Sequence, residues 1–85
     1  MEYEKLNDVL SASLIYYNIN LIVATNEISV VLEYVKNYYN EEEIKSIYSF
    51  DENHFITLIN GSFLQIVSPN FLTKLNTTGC YVLKI

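Results

Sequence analysis

Apolar residues recur as Leu6, Val9, Leu10, Leu14 and Tyr17 between Tyr3 and Tyr17, close to the 3.6-residue period of an amphipathic helix. Glu2 and Glu4 in its first turn suit the positive end of the helix dipole. Asn18-Ile19-Asn20 breaks the pattern. Leu21-Ile22-Val23-Ala24 is then continuously apolar, which reads as a short buried strand. Thr25 or Asn26 caps a second helix, with Glu27 in its first turn. Ile28, Val31, Leu32, Val35, Tyr38 and Tyr39 mark one face of that helix, and Glu33, Lys36 and Asn37 fall on the other. Asn40 either ends it or caps an extra turn through Glu41-Glu42-Glu43.

The second half reads as β. Ile47–Phe50 is a short strand, Asp51-Glu52-Asn53 a turn, and His54–Ile59 a second strand. Asn60-Gly61 is a strong hairpin signal, with Ser62–Val67 returning. Pro69 stops simple continuation of the ladder. Residues 70–75 form one helical turn or a loop, Thr77-Thr78-Gly79 a turn, and Cys80–Ile85 a final strand. The order predicts an α+β fold, or a small α/β one, in a single domain over residues 1–85. Two helices pack on a β-sheet that contains an antiparallel meander with an Asn-Gly hairpin.

Charge divides the chain sharply. All ten carboxylates lie at or before Glu52, against three lysines there, for a net −7; Lys74 and Lys84 give the remainder +2, within a total of −5. Arginine is absent. An acidic half without arginine repels phosphate backbones and attracts basic surfaces, so direct nucleic-acid binding is not expected and a protein partner is. Hydrophobic residues at 51%, with two glycines and one proline, argue against disorder. The single Cys80 excludes an intramolecular disulfide and suits a reducing, cytoplasmic setting. No signal peptide is apparent, and Leu10–Ala24 is too short and too interrupted by polar residues to span a bilayer. The sequons at Asn60 and Asn76 therefore read as accidents of an asparagine-rich composition.

Catalytic chemistry finds little support. His54 is the lone histidine and Cys80 the lone cysteine, short of the three or four ligands of a zinc site. They read as a turn residue and a small apolar strand residue. Neighbouring carboxylates on a turn point apart, and exposed ones keep pKa values unsuited to acid–base work at neutral pH. With glycine only at 61 and 79, no phosphate loop exists, and no catalytic residue, metal or cofactor is expected. Tyr34, Tyr38, Tyr39 and Tyr48 have two readings: aromatic anchors beside carboxylates resemble the make-up of a protein-binding surface, or Tyr38 and Tyr39 cover the end of the core with Tyr34 an isolated surface aromatic.

Five segments stand in a recognisable order: Asn20-Leu21-Ile22-Val23-Ala24-Thr25, the helical stretch 28–39, Phe55–Ser62 with its Asn60-Gly61-Ser62, Thr78-Gly79, and Cys80–Ile85. In that order they resemble part of the ATPase core of large terminase subunits of tailed phages and of related helicases. There a strand ending in an Ala-Pro-Thr-like turn enters a helix, and an Asn-Gly-Ser hairpin follows. A loop ending in glycine then leads to the Walker B strand. The departures are large. No Walker A loop precedes the first helix, the arginine usual before the glycine is missing, and the chain stops where the Walker B acids would begin. The resemblance implies a phage-type origin and a degenerate, non-catalytic relic, with no functional residue to carry over.

The expectation is a small acidic non-enzymatic protein from a phage or other mobile element. It would inhibit or modulate a host protein, in defence or nucleic-acid handling, by occupying a basic surface. Its contact residues would be Tyr38, Tyr39, Glu41, Glu42, Glu43, Asp51 and Glu52, clustered around the end of the second helix and the first β-turn. No membrane is involved; the alternatives are a self-assembling structural or accessory protein, such as a homodimer, or a degenerate terminase-like ATPase fragment.

Overall fold

The four apolar residues Leu21–Ala24 have no polar side, so a strand built from them must be covered on both faces. The computed structural model, which describes residues 3–85, places them inside a five-stranded sheet. Strand β1 (Asn20–Ala24) is followed by β2 (Ile44–Phe50), β3 (Asn53–Leu58), β4 (Phe63–Val67) and β5 (Tyr81–Lys84). The spatial order is β2-β3-β4-β1-β5. β1 runs parallel to both neighbours, with Leu21 opposite Leu64 on one side and Tyr81 on the other. β2, β3 and β4 form the expected antiparallel meander. The sheet is therefore mixed and the fold α+β, as the sequence predicts.

Helices α1 (Tyr3–Ile15) and α2 (Ile28–Tyr38) cover one face. Their buried stripes, Leu6, Val9 and Leu10 on α1 and Val31 and Val35 on α2, join Leu21, Val23, Ile56, Leu58, Leu64 and Ile66 in the main core. The opposite face carries Ile22, Ala24 and Val67. It is covered by Phe71, Leu72 and Leu75, from the short helix α3 (Pro69–Leu72) and the segment after it. Ser68 caps α3 by accepting from the Phe71 N–H at 3.1 Å. No helix among the described residues is long and apolar enough to cross a membrane.

Two helix boundaries differ from expectation. Glu2, assigned to the first turn of α1, lies outside the described residues. α1 ends at Ile15 rather than Tyr17, and Asn18 takes a left-handed φ of 57°, which asparagine tolerates better than most residues. Glu27 precedes α2 instead of entering its first turn: its N–H donates to Thr25 Oγ1 at 3.0 Å, so the chain turns one residue later.

The Asn-Gly hairpin forms, with a longer loop than two residues. Gly61 N–H donates to the Leu58 carbonyl at 3.0 Å, and Leu58 N–H donates to the Ser62 carbonyl at 2.8 Å. Of the three residues between, only Gly61 has positive φ, at 89°. That is a turn followed by a left-handed glycine, the usual three-residue hairpin. The same motif ties down the end of α1. Asn60 Nδ2 donates to the carbonyls of Ser13 at 2.7 Å and Tyr16 at 3.2 Å. Ser62 Oγ donates to the Ser13 carbonyl at 3.0 Å and accepts from Ile19 N–H at 3.1 Å. The hairpin side chains thus satisfy carbonyls that a helix end leaves without partners.

Candidate functional site

The acidic residues separate into two groups, which corrects the expected single cluster. Glu41–Glu43 form a 3-10 turn immediately before β2, and Asp51-Glu52 form the turn immediately after it. A seven-residue strand between them spans about 23 Å. The sequence separation left open whether the chain doubled back; an extended β2 holds the groups apart. The same two groups also lie at opposite ends of α2. Glu41 shares a groove with Lys36 and Asn37 near the helix C-terminus, whereas Glu52 lines a cleft with Asn26, Ile28 and Ser29 at its start.

Each group is held by local chemistry. Asn40 N–H donates to Glu43 Oε1 at 2.8 Å, so Glu43 is half-buried and engaged in capping, while Glu41 and Glu42 are exposed. Asp51 and Glu52 both have positive φ, 48° and 67°, in a two-residue hairpin closed by the Phe50–Asn53 pair. Both carboxylates are exposed. Asn53 is buried and supports the turn: Nδ2 donates to the Asp51 carbonyl at 3.0 Å, and Oδ1 accepts from Ser68 N–H at 3.3 Å.

Of the tyrosines, Tyr38 is half-buried and packs edge-on against Tyr39, with ring centroids 5.5 Å apart. Tyr39 is only 4% exposed. It continues the Val31–Val35 stripe past the helix end, and its hydroxyl meets Ser13 Oγ at 2.6 Å. Tyr39 is a core residue, not a free contact. Tyr34 stacks on Tyr3 at 4.4 Å and its hydroxyl donates to Asn7 Oδ1, joining α2 to α1.

The aromatic surface lies instead on the sheet. The α3 cover reaches β4, β1 and β5; further along the same face, Tyr48 is 63% and Phe50 52% exposed. Tyr48 faces Phe55 across the β2–β3 ladder with centroids 6.0 Å apart, and Phe55 stacks on Phe63 at 6.3 Å and 7°. On the other face of β2, Ile44 and Ile47 floor the groove rimmed by Glu33, Glu41 and Lys36 of α2 and its following turn. Sequence reasoning singled out Tyr48 but not Phe50 or Ile47. The available signal was that Ile47-Tyr48-Ser49-Phe50 puts an apolar residue on each face, as a strand lacking one solvated side does.

The remaining reactive groups are in structural roles. His54 Nδ1 bonds Ser49 Oγ at 2.7 Å across the β2–β3 ladder. Cys80 is half-buried against the Ile22 cluster. Among the described residues no three His, Cys, Asp or Glu side chains gather as a metal-binding group would. The β2 region gathers six carboxylates (Glu33, Glu41–Glu43, Asp51, Glu52) against Lys36 and Lys45, around a strand with Ile47, Tyr48 and Phe50 exposed. No family model, curated protein or solved structure matches the chain.

Proposed function

We propose that this chain is a small acidic protein-binding protein without enzymatic activity, which occupies a basic surface of a larger protein and so inhibits or modulates it. The observation that carries the reading is the arrangement around β2. Exposed carboxylates stand at both ends of a strand whose exposed apolar side chains are Ile47, Tyr48 and Phe50, beside Lys45, Ser46 and Ser49. Charges at the rim steer association, and aromatics between them supply buried area. The strained turn adds weight. A two-residue hairpin with positive φ at both positions favours Asn-Gly or Asp-Gly, so Asp51 suits its place and Glu52 carries the strain, about 1–2 kcal/mol. Such strain is retained where the side chains serve another purpose. The likeness of the segment from Asn20 to phage terminase cores supports a phage or mobile-element source, hence a host-cell target met in the cytoplasm.

The test is capture by the tagged protein from host lysate at about 50 mM and about 500 mM NaCl, beside a variant carrying Glu41→Lys, Glu42→Lys and Asp51→Lys. One dominant partner, lost at high salt and lost by the variant, is expected. A partner held equally by the variant and at both salts would remove the electrostatic basis of the proposal.

A further inference from the structure

β2 is the last strand of its sheet: β3 pairs one side of it from Ile44 to Phe50, and among the described residues its other side carries no strand. An edge presents a row of unpaired N–H and C=O groups and templates a further strand unless something blunts it. Blunting here is confined to one end. The register breaks between Ile44 and Ser46, around Lys45, and from Ser46 to Phe50 the pairing with β3 is continuous. Both faces beside this edge carry apolar side chains among serines, Ile47 with Ser49 toward the α2 side and Tyr48 and Phe50 with Ser46 on the open face.

Building on the reading of the chain as an acidic binding protein, we propose that the partner binds by strand addition to β2. An extended segment of another protein, apolar in its middle and basic at both ends, pairs along Ser46–Phe50 and continues the sheet. Main-chain hydrogen bonds then give affinity. Alternate side chains of the segment enter the groove floored by Ile44 and Ile47 or cover Tyr48 and Phe50. The basic ends are specified by charge: Glu41 and Glu42 stand at one end of the strand and Asp51 and Glu52 at the other. The separation of about 23 Å calls for roughly seven residues between the basic ends.

Charge also decides against a second copy as the occupant. Antiparallel pairing of two β2 strands about Ile47 would bring Glu41–Glu43 of each chain beside Asp51-Glu52 of the other. Parallel pairing would set like groups side by side. Both gather carboxylates at each end of the new ladder, and like charges so placed repel.

The experiment titrates the 15N-labelled full chain with synthetic peptides. One has an alternating valine–threonine core of about seven residues flanked by two lysines at each end. A second has glutamates in place of the lysines, and a third has every core amide N-methylated. The lysine-flanked peptide is expected to slow hydrogen exchange at amides within Ser46–Phe50. Affinity should fall at least about tenfold with glutamate flanks and by a similar factor on N-methylation. Equal binding of the N-methylated peptide, without protection on β2, overturns strand addition while leaving an acidic binding surface in place. Equal binding of the lysine and glutamate peptides overturns the electrostatic reading beneath it. Protection on β2 without peptide, with concentration-dependent dimerisation in sedimentation, overturns the proposal in favour of self-pairing.

Discussion

The phenol of Tyr39 donates to Ser13 Oγ across 2.6 Å, fastening the residue after α2 to the last turn of α1. The direction follows from Ser13, whose own hydroxyl donates to the Leu10 carbonyl at 2.6 Å and so has only lone pairs left for Tyr39. Burial pushes the Tyr39 pKa up to about 12 from 10.0, because the phenolate would lose its hydration; a hydrogen bond that Ser13 would turn to donate to the phenolate, in place of the one to Leu10, partly offsets this.

A folded-state pKa above the unfolded value means that the native protein holds this proton more tightly. The contribution is therefore complete below about pH 10 and is lost as pH rises through about 12. Over that window the loss should approach about 2–3 kcal/mol. Tyr39→Phe should remove this share of the alkaline decline, at a cost of about 1 kcal/mol at neutral pH for the lost hydrogen bond. Urea unfolding of both proteins, stepped from about pH 8 to about pH 11.5, reads the difference directly. Parallel declines in the two would locate the alkaline sensitivity elsewhere.

Gly61 meets two independent demands, positive φ and a close neighbour. A Cβ at this position would be driven into Asn18 Oδ1, and φ is 89°. Gly61→Ala should destabilise by about 2–3 kcal/mol. Asn60→Ala leaves the loop able to form but strips the Ser13 and Tyr16 carbonyls of a donor, and about 1–2 kcal/mol should follow. Calorimetric melting ranks them, and Asn60→Ala costing more than Gly61→Ala would mean that the cap outweighs the turn.

The parts of the fold that were legible are those whose pattern has one physical solution. The Val31, Val35, Tyr39 spacing fits only a helix face and its continuation, and four consecutive apolar residues at Leu21–Ala24 demand an interior strand. The turn glycine, too, announces its hairpin. Less legible was β2, where Ile47 and Phe50 sit on opposite faces that are both partly open, so alternation does not say which side is solvent. That ambiguity hid the separation of Glu41–Glu43 from Asp51-Glu52, which depends on the strand being extended through Ile44. The sequence leaves Tyr39 between core cover and binding contact; only the partner Ser13, 26 residues away, shows that its hydroxyl is satisfied inside.

The Asp51-Glu52 turn separates stability from binding. Asp51→Asn with Glu52→Gly supplies the pair that positive φ at both positions prefers. It should raise unfolding free energy by about 1–2 kcal/mol while removing two carboxylates from one end of β2. Association with a basic partner should weaken about tenfold or more, and its salt dependence should flatten. A variant both more stable and equally tight in binding would mean that these acids have no part in recognition.

The aromatic face of the β2 edge makes the complementary case. Tyr48 and Phe50 are mostly exposed, so Tyr48→Ser with Phe50→Ser removes little buried area from the monomer. Its stability should change by no more than about 1 kcal/mol, largely through the lost Tyr48–Phe55 contact. Phe55→Ala differs because its half-buried ring lies between Tyr48 and Phe63, and about 1–2 kcal/mol of stability should go with it. If Tyr48 and Phe50 are anchors, the double serine variant should lose about tenfold or more in affinity for the partner segment at nearly unchanged stability. Isothermal titration beside urea unfolding separates these outcomes, because a merely structural role would move both measurements together. Affinity that survived the double variant would confine recognition to the backbone edge and its acidic ends.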